Sequence, residues 1–326
     1  MMPLDEFERG EWGNARHAAL TTGALAELAC VVEASAPKPG NVSPDRPFAD
    51  MTYEDFVASA AAIREPFSGA TTRPVGETIR LAAEATSRCT SANTNLGIIL
   101  LLAPLARATA NFVRAHDPTR EGDLRNLREE LEEVLAETTV GDARDVYYAI
   151  RLANPGGLGR ATEQDVAHEP TVTLLEAMRL AADRDGIARE YATTFATTFE
   201  TGVPALLRAR RDSLDWRDAV VETYLTIVAA GPDTHVARRG GKRLAGEVAR
   251  MARAALAAGG VRSDAGRLAI DAMDDSLRDP ANLANPGTSA DLTTAAIFVT
   301  MVVRGWWPHG RVRFADVRPV AGTVGG

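Results

Sequence analysis

The chain has 326 residues, of which 45% are hydrophobic, 6% aromatic and 25% charged. That length holds one large domain or two ordinary ones, and a core short of aromatics must be built from Ala, Leu, Val and Ile, which suits closely packed helices. The formal net charge of -8 excludes the broad basic face that non-specific nucleic-acid binding requires, so no nucleic-acid partner is expected.

The first residues are acidic and polar, without the basic and then apolar stretches of a secretory signal. The most apolar run, Ile98 to Ala106, falls well short of the roughly 20 residues a bilayer demands. No membrane partner is expected, and the protein should be cytoplasmic. Leu25, Leu28, Ala29 and Val32 then mark one face of a helix that must stop before Pro37. A second helix is predicted from Tyr53 to Ile63, ended by Pro66, and a third from Val75 to Arg88. The fourth, Asn95 to Ala115, is apolar almost all round, which marks it as the centre of a bundle. Pro104 would kink it unless neighbouring helices absorb the strain.

Asp123 to Thr138 is acidic and amphipathic, as an outer helix would be. Further helical windows are Asp142–Ala153, Thr171–Asp185, Glu190–Thr201, Trp216–Ala230, Lys242–Ala257, Gly266–Leu277 and Ala290–Arg304. One weak strand candidate, Arg311 to Val320, lies in the tail. The reading is an all-α fold with a buried central helix, one compact domain over residues 1–326 and an irregular tail over 305–326. Cys30 and Cys89 make neither a disulfide framework nor a metal motif and read as small core residues.

Five polar segments sit at the ends of apolar helices. In Glu33–Pro44, Glu33 falls near a helix C-terminus, where the macrodipole disfavours a carboxylate. Prolines stiffen the turn, and Gly40 permits a close backbone approach, holding Lys38 and Asn41 in place. Lys38 and Lys242 are the only lysines among 36 Lys and Arg residues, which makes each a candidate for work that the planar guanidinium cannot do. A proline-terminated surface turn would look the same. Asn93, Thr94 and Asn95 precede the central helix; one of them suffices as a cap, while a buried helix N-terminus is also an anion site. Leu152–Val166 is glycine-rich but follows no strand, so it is no dinucleotide fingerprint, and Glu163 and Asp165 there read first as solvated.

The fourth segment, Gly231–Gly246, places Asp233, His235, Arg238 and Arg239 beside Gly240 and Gly241, a carboxylate and a guanidinium pair next to backbone that can approach a polyphosphate. The fifth, Asn282–Ala295, offers Thr288 and Asp291 as a capping box, with Asn285 and Ser289 beyond what a cap needs. No nucleophile elbow, Cys/His pair or zinc spacing appears, which counts against those enzyme classes.

The stretches PKPGNV, FADMTYEDFVASA, NTNLG, DTHVARRGG and NPGTSADL, in this order, resemble the triphosphoribosyl-dephospho-CoA synthase family, and the likeness runs from about residue 25 to residue 304. The resemblance implies an all-helical transferase that moves the 5-triphosphoribosyl group of ATP to the 2′-hydroxyl of 3′-dephospho-CoA and releases adenine. ATP as substrate, Mg2+ as its companion ion, and dephospho-CoA or a similar acceptor are the partners it implies, with a homodimer as an assembly to be tested. Such chemistry needs cations for the triphosphate and a carboxylate for the attacking hydroxyl. On that footing Glu33, Lys38 and Asp233 are the candidate catalytic residues. The substrate-binding candidates are Gly40, Asn41, Asn93, Thr94, Asn95, Arg238, Arg239, Gly240, Asn285 and Ser289, and those for a metal are Asp50, Asp233 and Asp291. In the citrate lyase members the NTNLG position reads NTHKG, so Asn95 and Leu96 depart from the pattern. That departure keeps two alternatives open: a related ribosyl or nucleotide transferase with another acceptor, and a non-catalytic nucleotide-binding protein.

Overall fold

The computed structural model describes residues 21–115, 124–304, 306–307 and 310–311. Helix α1, Thr22–Ala34, opens on Thr21, whose hydroxyl accepts the Ala24 amide at 3.2 Å, and it stops short of Pro37 as the sequence requires. There follow α2 (Tyr53–Ser68), α3 (Val75–Ser87), α4 (Leu96–Ala115), α5 (Leu124–Ala136), α6 (Val140–Ala153), α7 (Leu174–Ala181) and α8 (Gly186–Ala192). The chain continues through α9 (Val203–Arg211), α10 (Trp216–Ala230), α11 (Thr234–Ala257), α12 (Asp264–Leu277) and α13 (Gly287–Arg304). The architecture is the expected all-α one. Among the described residues the only strands are a two-residue antiparallel pair, Trp306–Trp307 with Gly310–Arg311. The tail strand anticipated over 311–320 lies outside the described residues beyond Arg311.

Two helices lie at the centre of a core to which nearly every other helix contributes. In α4, Leu101, Leu102 and Leu105 are wholly buried, as are Ile297, Phe298 and Val299 in α13. Helix α13 packs on α1, α4, α9 and α10, while α4 is flanked by α3 and α5. Each buried leucine is worth about 2 kcal/mol of transfer free energy, so this all-round apolar pair drives the fold. Helix α5 behaves as the amphipathic outer helix that its pattern demands, burying Leu127, Leu131, Val134 and Leu135.

Pro104 lies inside α4, where it cannot donate to the carbonyl of Leu100. The phenol of buried Tyr191, on α8, donates to that same carbonyl at 2.6 Å. The neighbouring helix thus replaces the bond that proline removes.

Several boundaries differ from the sequence reading. Pro66 does not end α2; it falls in the last turn, and the helix runs on to Ser68 with Phe67 fully buried. The helix expected over Glu190–Thr201 is broken. Thr194 and Phe195 take positive φ, and the buried Glu190 carboxylate accepts the amides of Thr197 and Thr198, both at 2.9 Å, starting a π-helical turn that leads into α9. Helix α11 begins at Thr234 rather than Lys242, with one break at Gly241 (φ 89°), so the expected loop carrying Arg238 and Arg239 is helical. Cys30 is buried as expected, but Cys89 is exposed.

Candidate active site

A cavity of about 830 Å³ opens where several helix N-termini meet. Asp233 is the N-cap of α11: Oδ1 accepts the His235 amide at 2.8 Å and the Val236 amide at 3.1 Å. Its Oδ2 accepts both the amide and the hydroxyl of Ser289 on α13, each at 2.7 Å. The Thr234 hydroxyl accepts the Gly186 amide, which opens α8, at 2.9 Å and lies 3.1 Å from the Thr288 hydroxyl. These contacts pin the starts of α8, α11 and α13 together. The first turn of α4 joins them, because Gly97 abuts Asp291: a Cβ on Gly97 would stand 2.0 Å from Asp291 Oδ2. Helix starts carry partial positive charge, but the carboxylates of Asp185 and Asp233 already accept first-turn amides of α8, α11 and α13, so a polyanion here would rely on the guanidinium groups that line the cavity. In α4 the Leu96 amide is taken by Asn93 Oδ1 at 3.3 Å and that of Ile99 by the Asn95 carbonyl at 2.9 Å.

The sequence candidates divide into those that face the cavity and those that hold it together. Glu33, Asn41, Asp50, Asn93, Thr94, Asn95, Arg238, Arg239, Asn285 and Asp291 line it; Lys38, Gly40, Asp233, Gly240 and Ser289 do not. Lys38 is fully buried, with Nζ 3.1 Å from Glu33 Oε1 and donating to the carbonyls of Glu33 at 2.5 Å and Ala36 at 3.1 Å. Two of the ammonium's donors go to those carbonyls and its charge is paired with Glu33, so the candidate catalytic Lys38 is turned away from the cavity. Burial pushes Glu33 up and Lys38 down, and the attraction between them opposes both shifts. Asp233 accepts four hydrogen bonds, the full capacity of a carboxylate, leaving no lone pair for a metal or a proton in transit. Ser289 is its partner. The capping box expected at Thr288 is absent too: α13 starts at Gly287, and Thr288 bonds across to Thr234.

Asp291 differs from the other carboxylates here. It lines the cavity, and no donor among the described residues bonds to it. Burial, together with the like charges of Glu33, Asp233 and Asp185, holds its carboxyl well above the usual carboxylate range, with Arg238 opposing. Asp50 is exposed and accepts from Asn282 Nδ2 at 3.0 Å. Among the described residues no group of three His, Cys, Asp or Glu side chains is gathered as a metal cage, so Asp50, Asp233 and Asp291 do not form one.

The cationic side is built from α11. Arg238 donates to the Gly156 carbonyl at 3.1 Å and pairs with Asp185 at 3.2 Å; Arg239 donates to the carbonyls of Ala281 at 2.7 Å and Asn282 at 3.2 Å. His235 stands between them, 3.3 Å from Arg238 and 3.5 Å from Arg239. Burial and the two guanidinium charges push its pKa down to about 3, so the ring is neutral at physiological pH. Asn95 turns its amide inward to Ser59 and Thr86, and Thr94 bonds Ser59, so both brace the rim. Sequence reasoning missed Arg184, which lines the cavity with no ion-pair partner among the described residues, and the apolar wall of Phe48, Met51 and Phe56. Arg184 sits between two aspartates in a connecting loop, where nothing in the sequence sets it apart from a solvated charge run.

Residues 19–309 match the family described as ATP:dephospho-CoA triphosphoribosyl transferase (CitG). The chain belongs to this family. A relative from Stutzerimonas stutzeri, named "Probable 2-(5''-triphosphoribosyl)-3'-dephosphocoenzyme-A synthase", is 37% identical over 116 residues, 34% of this chain and 38% of its own length. A relative of the same name from Pseudomonas paraeruginosa is 35% identical over 125 residues, 37% of this chain and 42% of its own. The matches thus span only about two fifths of the length of these curated relatives. A chain described as "Crystal structure of putative triphosphoribosyl-dephospho-coA synthase from Archaeoglobus fulgidus" superposes with a TM-score of 0.58 at 29% identity, covering 77% of this chain and 100% of that one.

Proposed function

We propose that this chain transfers the 5-triphosphoribosyl group of ATP to the 2′-hydroxyl of 3′-dephospho-CoA, releasing adenine. The observation that carries the reading is the mixed lining of the cavity in a chain of this family: the guanidinium groups of Arg184, Arg238 and Arg239 share it with the donor-free carboxyl of Asp291 and that of Glu33. Arg184 and Arg238 receive the triphosphate, which stays intact. Asn93 and Arg239 support that side.

In the transfer, the acceptor oxygen bonds to C1′ of the ribose while the C1′–N bond to adenine breaks, its electron pair leaving with the base. Asp291 takes the hydroxyl proton, which ends on adenine. A carboxyl with a raised pKa suits both halves of that exchange. Glu33 and Asp291 also stabilise the positive charge that builds on the ribose, and Lys38 acts through Glu33 by fixing its charge and position. Magnesium arriving with the triphosphate would meet one carboxylate at a time, Asp50 or Asp291, which fits an ion that keeps most of its water and phosphate ligands; it would supply charge neutralisation.

The test is incubation of the protein with ATP, magnesium and dephospho-CoA, followed by mass spectrometry for free adenine and the triphosphoribosyl adduct. No adenine above an enzyme-free control would refute the proposal. Leu96 lines the cavity with an apolar side chain, which favours a second reading in which a less anionic acceptor replaces dephospho-CoA. Adenine release dependent on such an acceptor alone would select it.

A further inference from the structure

Glu33, Asn41, Asn285 and Asp291 all line the cavity, and the charge of Glu33 acts on Asp291. Asn285 Oδ1 is buried with no donor, and Asn41 Nδ2 meets no acceptor in hydrogen-bond geometry, although the Tyr224 phenol is close enough to feel it. Glu33 Oε1 has the Lys38 charge beside it but no donor in bonding geometry. The two asparagines belong to one wall because their neighbours touch: a Cβ on Gly40 would stand 3.2 Å from Pro286 Cδ. Buried polar atoms without partners carry an uncompensated desolvation cost, and a cluster of them in residues that line a cavity marks where a ligand completes the bonding.

The chemistry of that ligand follows from the set. Two carboxyl groups repel a phosphate. No three-ligand metal group exists among the described residues. Adenine offers a single exocyclic amine against an array composed mainly of acceptors. A vicinal diol supplies two O–H donors and two acceptor oxygens without charge, and so matches Asn285 Oδ1, Asn41 Nδ2 and the carboxyl groups together.

We infer that this wall is a ribose subsite, in which Asn41 and Asn285 hold the 2′,3′-diol of the donor nucleotide and thereby select ribonucleotides over deoxyribonucleotides. The inference rests on the proposed function, since it takes the bound donor to be ATP. Calorimetric titration without acceptor should show 2′-deoxy-ATP and 3′-deoxy-ATP each binding wild-type protein about tenfold more weakly than ATP. In the Asn285→Ala variant the three ligands should bind within about twofold of one another. Equal binding of ATP and both deoxy analogues to wild-type protein overturns the subsite. So does undiminished discrimination in Asn285→Ala, or a preference lost only when ATP is replaced by ITP, which would make this wall a base subsite. Adenine release from ATP is scored separately: release with equal deoxy binding sinks the inference alone, whereas absent ATP binding sinks the function and the subsite together.

Discussion

Nζ of Lys38 lies 3.1 Å from Oε1 of Glu33, with both side chains sealed from solvent. Removing one member of such a pair strands the other. Lys38→Met is expected to cost about 3–5 kcal/mol in urea unfolding at pH 7, and Lys38→Met/Glu33→Gln considerably less. The sign with pH follows from Glu33, whose pKa burial raises from 4.5. Stability is fully present below the unfolded value and is lost as pH rises toward the raised one; removing the ammonium, which opposes the rise, raises the folded value further, so the Lys38→Met deficit should grow once pH passes the wild-type folded value of Glu33. A deficit that is flat with pH would rule this account out.

Gly97 leaves room for the Asp291 carboxyl. In Gly97→Ala the added methyl should push Asp291 aside, lowering kcat at least tenfold while KM for ATP changes less than threefold. Asp291→Asn should lower kcat by about 10²–10⁴, the range of a lost proton-transfer group. Steady-state adenine release measures both. A Gly97→Ala enzyme with native kcat would show that Asp291 does not act from this position.

The bond from Tyr191 to the Leu100 carbonyl makes a cycle testable. Tyr191→Phe should destabilise by about 1–3 kcal/mol, because a buried carbonyl loses its donor. In a Pro104→Ala background the restored backbone N–H can serve that carbonyl, so the same substitution should cost clearly less. Additive losses in thermal or urea unfolding would contradict the pairing.

His235, with its pKa near 3, binds no proton in the folded state at pH values where the unfolded chain, at 6.5, already does. A lowered folded value contributes stability above pH 6.5 that is lost as pH falls from 6.5 toward 3. Unfolding midpoints measured at pH 7 and pH 5 should therefore diverge more for the wild type than for His235→Gln.

Much of this was legible in the sequence. Trp216–Ala230 is helical to the residue, and the all-round apolar pattern of the central helix marked the core, because periodicity reports burial directly. What could not be read was direction. Lys38 and Asp233 stand out by rarity and setting, yet the structure spends one on Glu33 and the other on two helix starts. Asp291, the carboxyl left without a donor, looked like part of a cap. The break after α8 was hidden because Glu190 acts through a buried carboxylate on amides seven and eight residues ahead, a contact with no periodic signature. Roles that depend on where a side chain points across 50 residues of sequence are set by packing rather than by local pattern.

The convergence of helix starts at Thr234, Gly186 and Thr288 has a thermodynamic consequence. Like ends of dipoles held together repel one another, and here the carboxylates of Asp185 and Asp233 sit among them as built-in counter-charges; a nucleotide that binds only the folded cavity then links folding to its own occupancy. The melting temperature should climb with nucleotide concentration, by the equivalent of about 2.7 kcal/mol at a hundredfold excess over Kd. In a cell the folded fraction of this chain would then track the supply of that nucleotide.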